Sequence, residues 1–361
     1  MQDMLISIIT VCLNAVETIE TTISSVLEQT YKNTEYIVID GGSTDGTLQV
    51  IDKYRNSIST LVSEKDGGIY DAMNKGIELA RGDYIGIINA DDWYEKDTVE
   101  HVVQIVQTIS EDIGVISGQI RLIESGKAFP SGKKDMKRIW TEMPLAHPAT
   151  FIKKSVYSRY GKYDTHYKIS ADYEMVFRLF VNGIRFYISD KIMANYRVGG
   201  ISGIKKDALF KEDVEILSKY QEYCAEPNRV QASIRRKEGI HLIYQVDREA
   251  FCEILDIRPE IDSAIYVFGC GFWGRELCGL LEKHEIRVAG FVDNNCSLWG
   301  TEVEKHMVDS PDVLRDRCVK VILAIQGDTA EIDEQVRDLS RDARMVNLEC
   351  IFDRAVKLMK G

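Results

Sequence analysis

The sequence predicts an α/β protein: a mainly parallel sheet with helices on its faces, followed by a second, smaller α/β unit. Three observations predict it. Short apolar runs alternate with stretches of helical periodicity between residues 5 and 107, the pattern of strand–helix–strand units. Polar or acidic residues stand at the ends of four of those runs. The alternation then restarts near residue 264 with a Gly-x-Gly-x-x-Gly turn.

Residues 5–13 are apolar and rich in β-branched side chains, as a strand buried on both faces of a parallel sheet should be. Asn14 follows, then a helix over 16–29 with apolar positions 16, 19, 23, 26 and 27. EYIVID (35–40) is a second strand, broken by the turn-rich stretch Gly41, Gly42, Ser43, Thr44, Asp45, Gly46 before a helix over 48–54. A third strand at 60–63, a loop at 64–68 and a helix at 70–80 complete the repeat. YIGIINADDWY (84–94) then carries an apolar strand without a turn into Asn89, Asp91 and Asp92, ahead of a helix over 95–107. In such sheets the ligand lies beyond the carboxyl ends of the strands. Asn14, Asp40, residues 64–66 and Asp91 all fall there.

Two adjacent carboxylates after an apolar strand repel each other and are costly to desolvate. A hard cation, Mn²⁺ or Mg²⁺, held between them and a substrate phosphate makes the pair favourable. The plainer alternative is an N-cap for the following helix, but a cap needs one Asp and no apolar lead-in. Asp40, last in its strand, is placed to accept from a base N–H or a ribose hydroxyl. Ser43 and Asp45 read as helix caps, and the loop lacks the GK[ST] of a phosphate-binding loop.

At 361 residues the chain has room for two domains. A hydrophobic content of 45% with 28% charged residues is ordinary for a globular protein. The net charge of −12 excludes a general nucleic-acid binder. Eight cysteines form no CxxC pair and no secretory leader precedes them. Cys12, Cys270 and Cys318 sit within apolar runs, so they are expected as small core residues in a reducing cytoplasm. No run approaches the roughly eighteen apolar residues of a membrane span. The basic residues Lys133, Lys134, Lys137 and Arg138 offer a surface for peripheral contact with the inner face of a membrane, unless they are simply solvated.

The segments ISIITVCLNA, VIDGGSTDGT and EKDGGIYDAMNKGIELARGDYIGIINADDWY, in that order, resemble the family 2 glycosyltransferases, inverting nucleotide-sugar enzymes of GT-A fold. The likeness is to the bacterial polysaccharide enzymes that extend lipid-linked or capsular glycans, and it spans an expected first domain, 1–204. It implies that Asp40 binds the base, usually uracil, that Thr10 and Asn14 lie near the nucleoside, and that Asp66 and Lys75 lie near the donor. Asn89-Ala90-Asp91 occupies the place of the metal-binding DxD motif, with Asp91 on the ion and Asp92 beside it. The first acid of that motif is here Asn89, which keeps a neutral oxygen but removes one charge from the ion's site.

Inverting transfer needs a base to take the proton from the acceptor hydroxyl. In the family an acidic pair at a helix start supplies it. Asp172, opening a helix expected over 175–182, matches, although Ala171 replaces the preceding acid; Ser170 and Asp172 as simple caps are the alternative. His147, before Pro148, stands where the family places a polar residue close to the acceptor or diphosphate, against a structural histidine. Arg197, beside two glycines, is a cation suited to a loop closing over the diphosphate.

Residues 205–260 are charged and helical in pattern and read as a connector. The unit expected at 261–361 carries strands at 264–268, 288–292 and 319–325 and a helix at 275–283. Gly269, Gly271 and Gly274 form its GxGxxG turn, and Asp293 ends the second strand, as in a dinucleotide fingerprint. The segment resembles the small Rossmann-like domain of several sugar-modifying enzymes. A second nucleotide site and a homo-oligomerisation module both remain open for it, and no group for hydride chemistry is evident. Together these features point to metal-assisted transfer of a sugar from a nucleotide donor to a glycan or lipid-linked acceptor. A nucleotidyltransferase is the alternative, or a binding protein whose Asn89 and Ala171 mark a decayed site.

Overall fold

The computed structural model describes residues 4–109, 112–124, 127–130, 135–199, 206–258, 261–262, 265–325 and 329–360. The chain forms two compact units, Met1–Val230 and Gln231–Gly361.

The first unit is built on β1 (Ile6–Cys12), α1 (Ile19–Leu27), β2 (Thr34–Asp40), α2 (Thr47–Asp52), β3 (Thr60–Ser63), α3 (Ile69–Leu79) and β4 (Tyr84–Asn89). β1 is buried along its whole length because parallel neighbours, β2 and β4, flank it. Helix α3 comes unusually close: a Cβ added at Gly76 would stand 2.5 Å from Ile9 Cγ2. The register sets Cys12 beside Asp40, Asp40 beside Ser63, and Val11 beside Asn89. The polar strand ends therefore fall along one edge of the sheet.

The sheet is completed by β5 (Trp93–Tyr94), α4 (Thr98–Thr108), β6 (Val115–Glu124), β7 (Lys127–Pro130), β8 (Thr150–Lys153), α5 (Lys154–Tyr160), α6 (Ala171–Val181) and β9 (Phe186–Arg197). Its order is β3-β2-β1-β4-β8-β6-β9-β5, with β7 on β6. The β4–β8, β6–β8 and β5–β9 pairs are antiparallel, so the sheet is parallel on one side and mixed on the other. This agrees with the GT-A arrangement that the family resemblance implied.

Three expected boundaries moved for local reasons. The helix expected at 16–29 begins at Ile19, because Asn14 takes left-handed backbone (φ 50°) and the Ala15 carbonyl accepts from Thr18 and Ile19. The helix expected at 95–107 begins at Thr98, because Trp93 and Tyr94 pair with Asn195 and Ala194. The helix expected at 175–182 begins at Ala171, which puts Asp172 inside its first turn. The cysteine expectation holds for buried Cys12 only: Cys270 is half-buried, and Cys318 is exposed because the apolar strand starts beyond it.

The described part of the stretch 205–260, residues 206–258, is largely helical, with α7 (Lys206–Tyr220), α8 (Pro227–Ile243) and α9 (Arg248–Leu255). It is divided between the units. On α7, Glu212 accepts from the backbone N–H groups of Lys168, Ile169 and Ser170 at 2.7–2.9 Å, and Asp213 accepts from Ser170 Oγ at 2.8 Å. A carboxylate there satisfies donors just ahead of α6 and complements its dipole.

In the second unit, β10 (Ile265–Phe268), α10 (Phe272–Lys283), β11 (Val288–Val292), β12 (Glu302–Val303), β13 (His306–Asp309), β14 (Lys320–Leu323), α11 (Ala330–Leu339), β15 (Arg344–Asn347) and α12 (Leu348–Lys360) follow α9. The sheet order is β12-β13-β11-β10-β14-β15, all parallel except β12 against β13. Its five parallel strands thus run third, second, first, fourth, fifth, the Rossmann order. Among the described residues no helix is long and apolar enough to cross a membrane. Of the expected basic surface, Lys133 and Lys134 lie outside the described residues, and Arg138 pairs with Glu142 at 2.8 Å.

Candidate functional site

At the end of β1, Asn14 is a clasp. Its N–H donates to Ser43 Oγ at 2.8 Å and its Oδ1 accepts from the Thr44 N–H at 2.9 Å. Asp45 accepts from the Val16 and Thr47 N–H groups and from Thr47 Oγ1. The loop after β2 is thereby tied to the first strand. Asp40 organises it from below: wholly buried, it accepts from Ser43 Oγ, Ser63 Oγ and the N–H groups of Gly42 and Ser43. Burial pushes its carboxyl up, but those hydrogen bonds outweigh it and hold it below the usual range. Both its oxygens are engaged by its own loop, so a base would have to take over one of these bonds.

Thr10 lies elsewhere. It is fully buried two residues inside β1, where its hydroxyl accepts from Tyr36 at 3.1 Å, so it belongs to the core and not to the crevice. Asp66 accepts from the Gly68 N–H at 2.9 Å and lies so near Gly41 that a Cβ there would be 2.5 Å from its Oδ2. Lys75 pairs with Glu64 at 2.8 Å and with Asp71 at 3.5 Å.

The end of β4 carries buried polar atoms left without partners. Asn89 Oδ1 and Asp92 Oδ2 are buried and have no hydrogen-bond partner among the described residues. Asp92 Oδ1 accepts from the Arg197 N–H at 3.0 Å, which joins the acidic pair to the end of β9. The Arg197 guanidinium lies over the Trp93 ring at 5.5 Å. Burial, then the charge of Asp91, pushes the Asp92 carboxyl up to about 8, and burial also raises Asp91. Unsatisfied hard oxygens and an acid held out of its charged form fit a divalent cation, which would restore the charge and use the orphaned atoms. Asn89, Asp91 and Asp92 would hold it.

A second cluster forms around Asp172. Its Oδ1 accepts from its neighbour Tyr173's N–H at 2.9 Å and from Tyr70 Oη at 3.1 Å; Tyr70 also reaches the Ile169 carbonyl at 2.6 Å. Burial raises the Asp172 carboxyl above the usual range, partly opposed by His147. His147 Nε2 lies 3.3 Å from Tyr163 Oη, and burial depresses its pKa. Tyr70 and Tyr163 pack at 5.4 Å between ring centres. The structure thus brings His147 and Asp172 together, and separately Arg197 with Asp91 and Asp92. Nothing in the spacing of Tyr70, Tyr163 or Glu212 pointed to that cluster; the one local signal was Tyr70 opening the helix after the Asp-Gly-Gly loop.

The glycine turn of the second unit adopts the expected form. Gly269 has φ +95°, and a Cβ on Gly274 would come within 1.9 Å of the Gly269 carbonyl. Around Gly271 there is open space. Asp293 closes onto the turn, its Oδ2 accepting from the Cys270 N–H at 3.1 Å and from Cys270 Sγ at 3.3 Å. An amide that would face a phosphate is already held by the protein's own carboxylate.

A family model described as glycosyl transferase family 2 matches residues 7–209. The chain belongs to glycosyl transferase family 2. Within the family it is 28% identical over 210 residues to a PGL/p-HBAD biosynthesis glycosyltransferase of Mycobacterium bovis (strain BCG / Pasteur 1173P2), covering 56% of this chain and 81% of that protein. An uncharacterized glycosyltransferase of Mycobacterium tuberculosis (strain CDC 1551 / Oshkosh) is 32% identical over 180 residues, covering 48% of this chain and 68% of the other. In three dimensions the family 2 chain resembles S. aureus TarS 1–349 in complex with UDP, with a TM-score of 0.52 at 19% identity over 71% of this chain and 76% of that one. The mannosyltransferase PcManGT from Pyrobaculum calidifontis, solved with GDP-Man and Mn²⁺, gives 0.51 at 18% identity over 64% and 69%. The family match lies within the first unit, which contains Asp40, Asp91 and Asp172.

Proposed function

We propose that this family 2 glycosyltransferase moves a sugar from a nucleotide-diphospho-sugar, with UDP as its nucleotide, to a glycan or lipid-linked acceptor with inversion. Cell-surface polysaccharide biosynthesis is its setting, at the cytoplasmic face of the membrane. The observation that carries the reading is the pair of buried, partnerless oxygens on Asn89 and Asp92 beside Asp91. Similar structures solved with UDP, UDP-GlcNAc, and GDP-Man with Mn²⁺ support the donor class.

In this reading Asn14 and Asp40 hold the loop that borders the nucleoside, and Asp66 and Lys75 border the donor. When bound, the cation supplies Lewis-acid stabilisation of the charge growing on the leaving diphosphate. Asn89, Asp91 and Asp92 would hold it, and Arg197 adds a second positive charge. Asp172 takes the proton from the acceptor hydroxyl as that oxygen attacks the anomeric carbon. The nucleoside diphosphate departs from the opposite face, which inverts the centre. Both hydrogen bonds to the Asp172 carboxylate fall on Oδ1, so Oδ2 is the proton acceptor. Its raised pKa makes it a stronger base than an exposed carboxylate. His147, kept neutral by burial at neutral pH, stands near Asp172.

The test is a panel of nucleotide sugars incubated with Mn²⁺ and followed by nucleotide release, with Asp91→Ala alongside. Turnover of a UDP-sugar that Asp91→Ala lacks supports the reading. No turnover on any donor, or full activity in Asp91→Ala, contradicts it.

A further inference from the structure

The second unit holds a donor set outside residues 7–209, the stretch that the family model matches. Cys278 and Glu282 lie one turn apart on α10, and His306 opens β13. One ligand atom from each, Sγ, a carboxylate oxygen and an imidazole nitrogen, lie within 4.8 Å of one another. His306 Nε2 is 2.9 Å from Glu282 Oε1. We infer that Cys278, Glu282 and His306 form a site for a divalent ion of the zinc class.

The chemistry of the set argues for that class. A thiolate, an imidazole and a carboxylate match the borderline-soft Zn²⁺ and its Co²⁺ substitute, whereas Mg²⁺ and Mn²⁺ prefer oxygen alone. Sulfur at about 2.3 Å and nitrogen at about 2.0 Å from one ion stand at most roughly 4.3 Å apart. A small side-chain rotation therefore brings all three donors onto a common centre.

The surroundings are built for it. The Cys278 side chain is wholly buried, as a fixed ligand should be, while Glu282 is exposed and His306 half-buried, which leaves a path for entry. His306 follows a two-residue turn in which Glu304 and Lys305 both take left-handed backbone, φ 48° and 65°. That is the geometry of a type I′ hairpin, normally made by Asn-Gly. Two side-chain-bearing residues there hold His306 in place at some cost in strain. The Phe291 ring backs the imidazole at 6.3 Å between centres. Burial, with the charges of Glu282 and Glu304, pushes the thiol up to about 11 without metal. An ion would reverse that: the thiol proton passes to solvent as the Sγ–metal bond forms. Three protein ligands leave a fourth position for water or for Glu304.

The test is a Co²⁺ titration of the full metal-free chain, read by absorption. The oxygen donors around Asp91 give no sulfur-to-cobalt charge-transfer band, so that band reports a thiolate ligand, and Cys278→Ser identifies which one. We expect one equivalent to produce it, Zn²⁺ to displace it, Cys278→Ser to abolish it, and His306→Ala to weaken binding by about tenfold or more, since even the partners of metal ligands are worth about that much. Cys318→Ser, at an exposed thiol, should leave it intact. Circular dichroism checks that each variant is folded, and Glu282→Gln serves if Cys278→Ser is not. The inference fails if no band appears, or if the band survives Cys278→Ser or is lost in Cys318→Ser.

Discussion

Asp172 and Asp92 show how a single burial decides a residue's chemistry. Tyr70 has one hydroxyl proton and two acceptors, the Ile169 carbonyl and Asp172 Oδ1. When given to Asp172, that proton favours the ionised carboxylate. Tyr70→Phe should therefore raise the Asp172 pKa and move the acidic limb of the kcat/KM profile to higher pH. An unmoved limb would mean that Tyr70 spends its proton on Ile169. Asp92 makes a separate prediction. Its folded pKa, about 8, lies above the ordinary value, so the folded state holds a proton that the unfolded chain releases near pH 4. That contribution to stability is fully present below about pH 4 and lost as pH rises through about 8. The melting temperature without divalent ions should fall with pH over that window more steeply in the wild type than in Asp92→Asn, and Mn²⁺ should lessen the wild-type fall. Parallel melting curves with and without Mn²⁺ would contradict the assignment of Asn89, Asp91 and Asp92 to a cation.

At the scale of elements, the loop after β2 and the loop after β3 meet at Gly41, with Asp66 against it. Gly41→Ala needs no unusual backbone but must displace the Asp66 carboxylate. We expect KM for the donor to rise several-fold with kcat less affected; a change in kcat alone would argue that Asp66 is remote from the donor. The parallel half of the sheet was legible in the sequence because β1, β2 and β4 are largely apolar runs, a consequence of burial on both faces. The acidic end of β4 was legible because its polar residues follow that run directly. Trp93 and Tyr94 were not read as a strand, since their pairing with β9 comes from a hundred residues further on. The resemblance implies Thr10 near the nucleoside, yet its position two residues inside β1 turns it inward to Tyr36. Tyr70 and Asp172 meet only through tertiary packing, and no local pattern announces it.

For the whole molecule, the family match ends at residue 209, inside the first unit. A chain ending at Glu226 keeps α7, whose Glu212 and Asp213 hold the backbone ahead of α6. A cut near residue 256 would instead leave α9, with buried Phe251, Ile254 and Leu255, stripped of its unit. The shorter chain should retain transfer to a small soluble acceptor and lose any self-association carried by the second unit. Light scattering with a transfer assay reads both. Unchanged assembly with lost transfer would assign the second unit to catalysis.

In the proposed function, Asp172 is the base of a metal-assisted inverting transfer. Its most direct measurement is single-turnover transfer from a UDP-sugar with saturating Mn²⁺ by wild type and Asp172→Asn, with the anomeric configuration of the product read by NMR. Asparagine keeps the side chain's size and its carbonyl acceptor, so the fold should persist. An inverted product is expected from the wild type, with a rate lower by about 10² or more in the variant and donor affinity kept. A retained configuration, or a variant as fast as wild type, would contradict it.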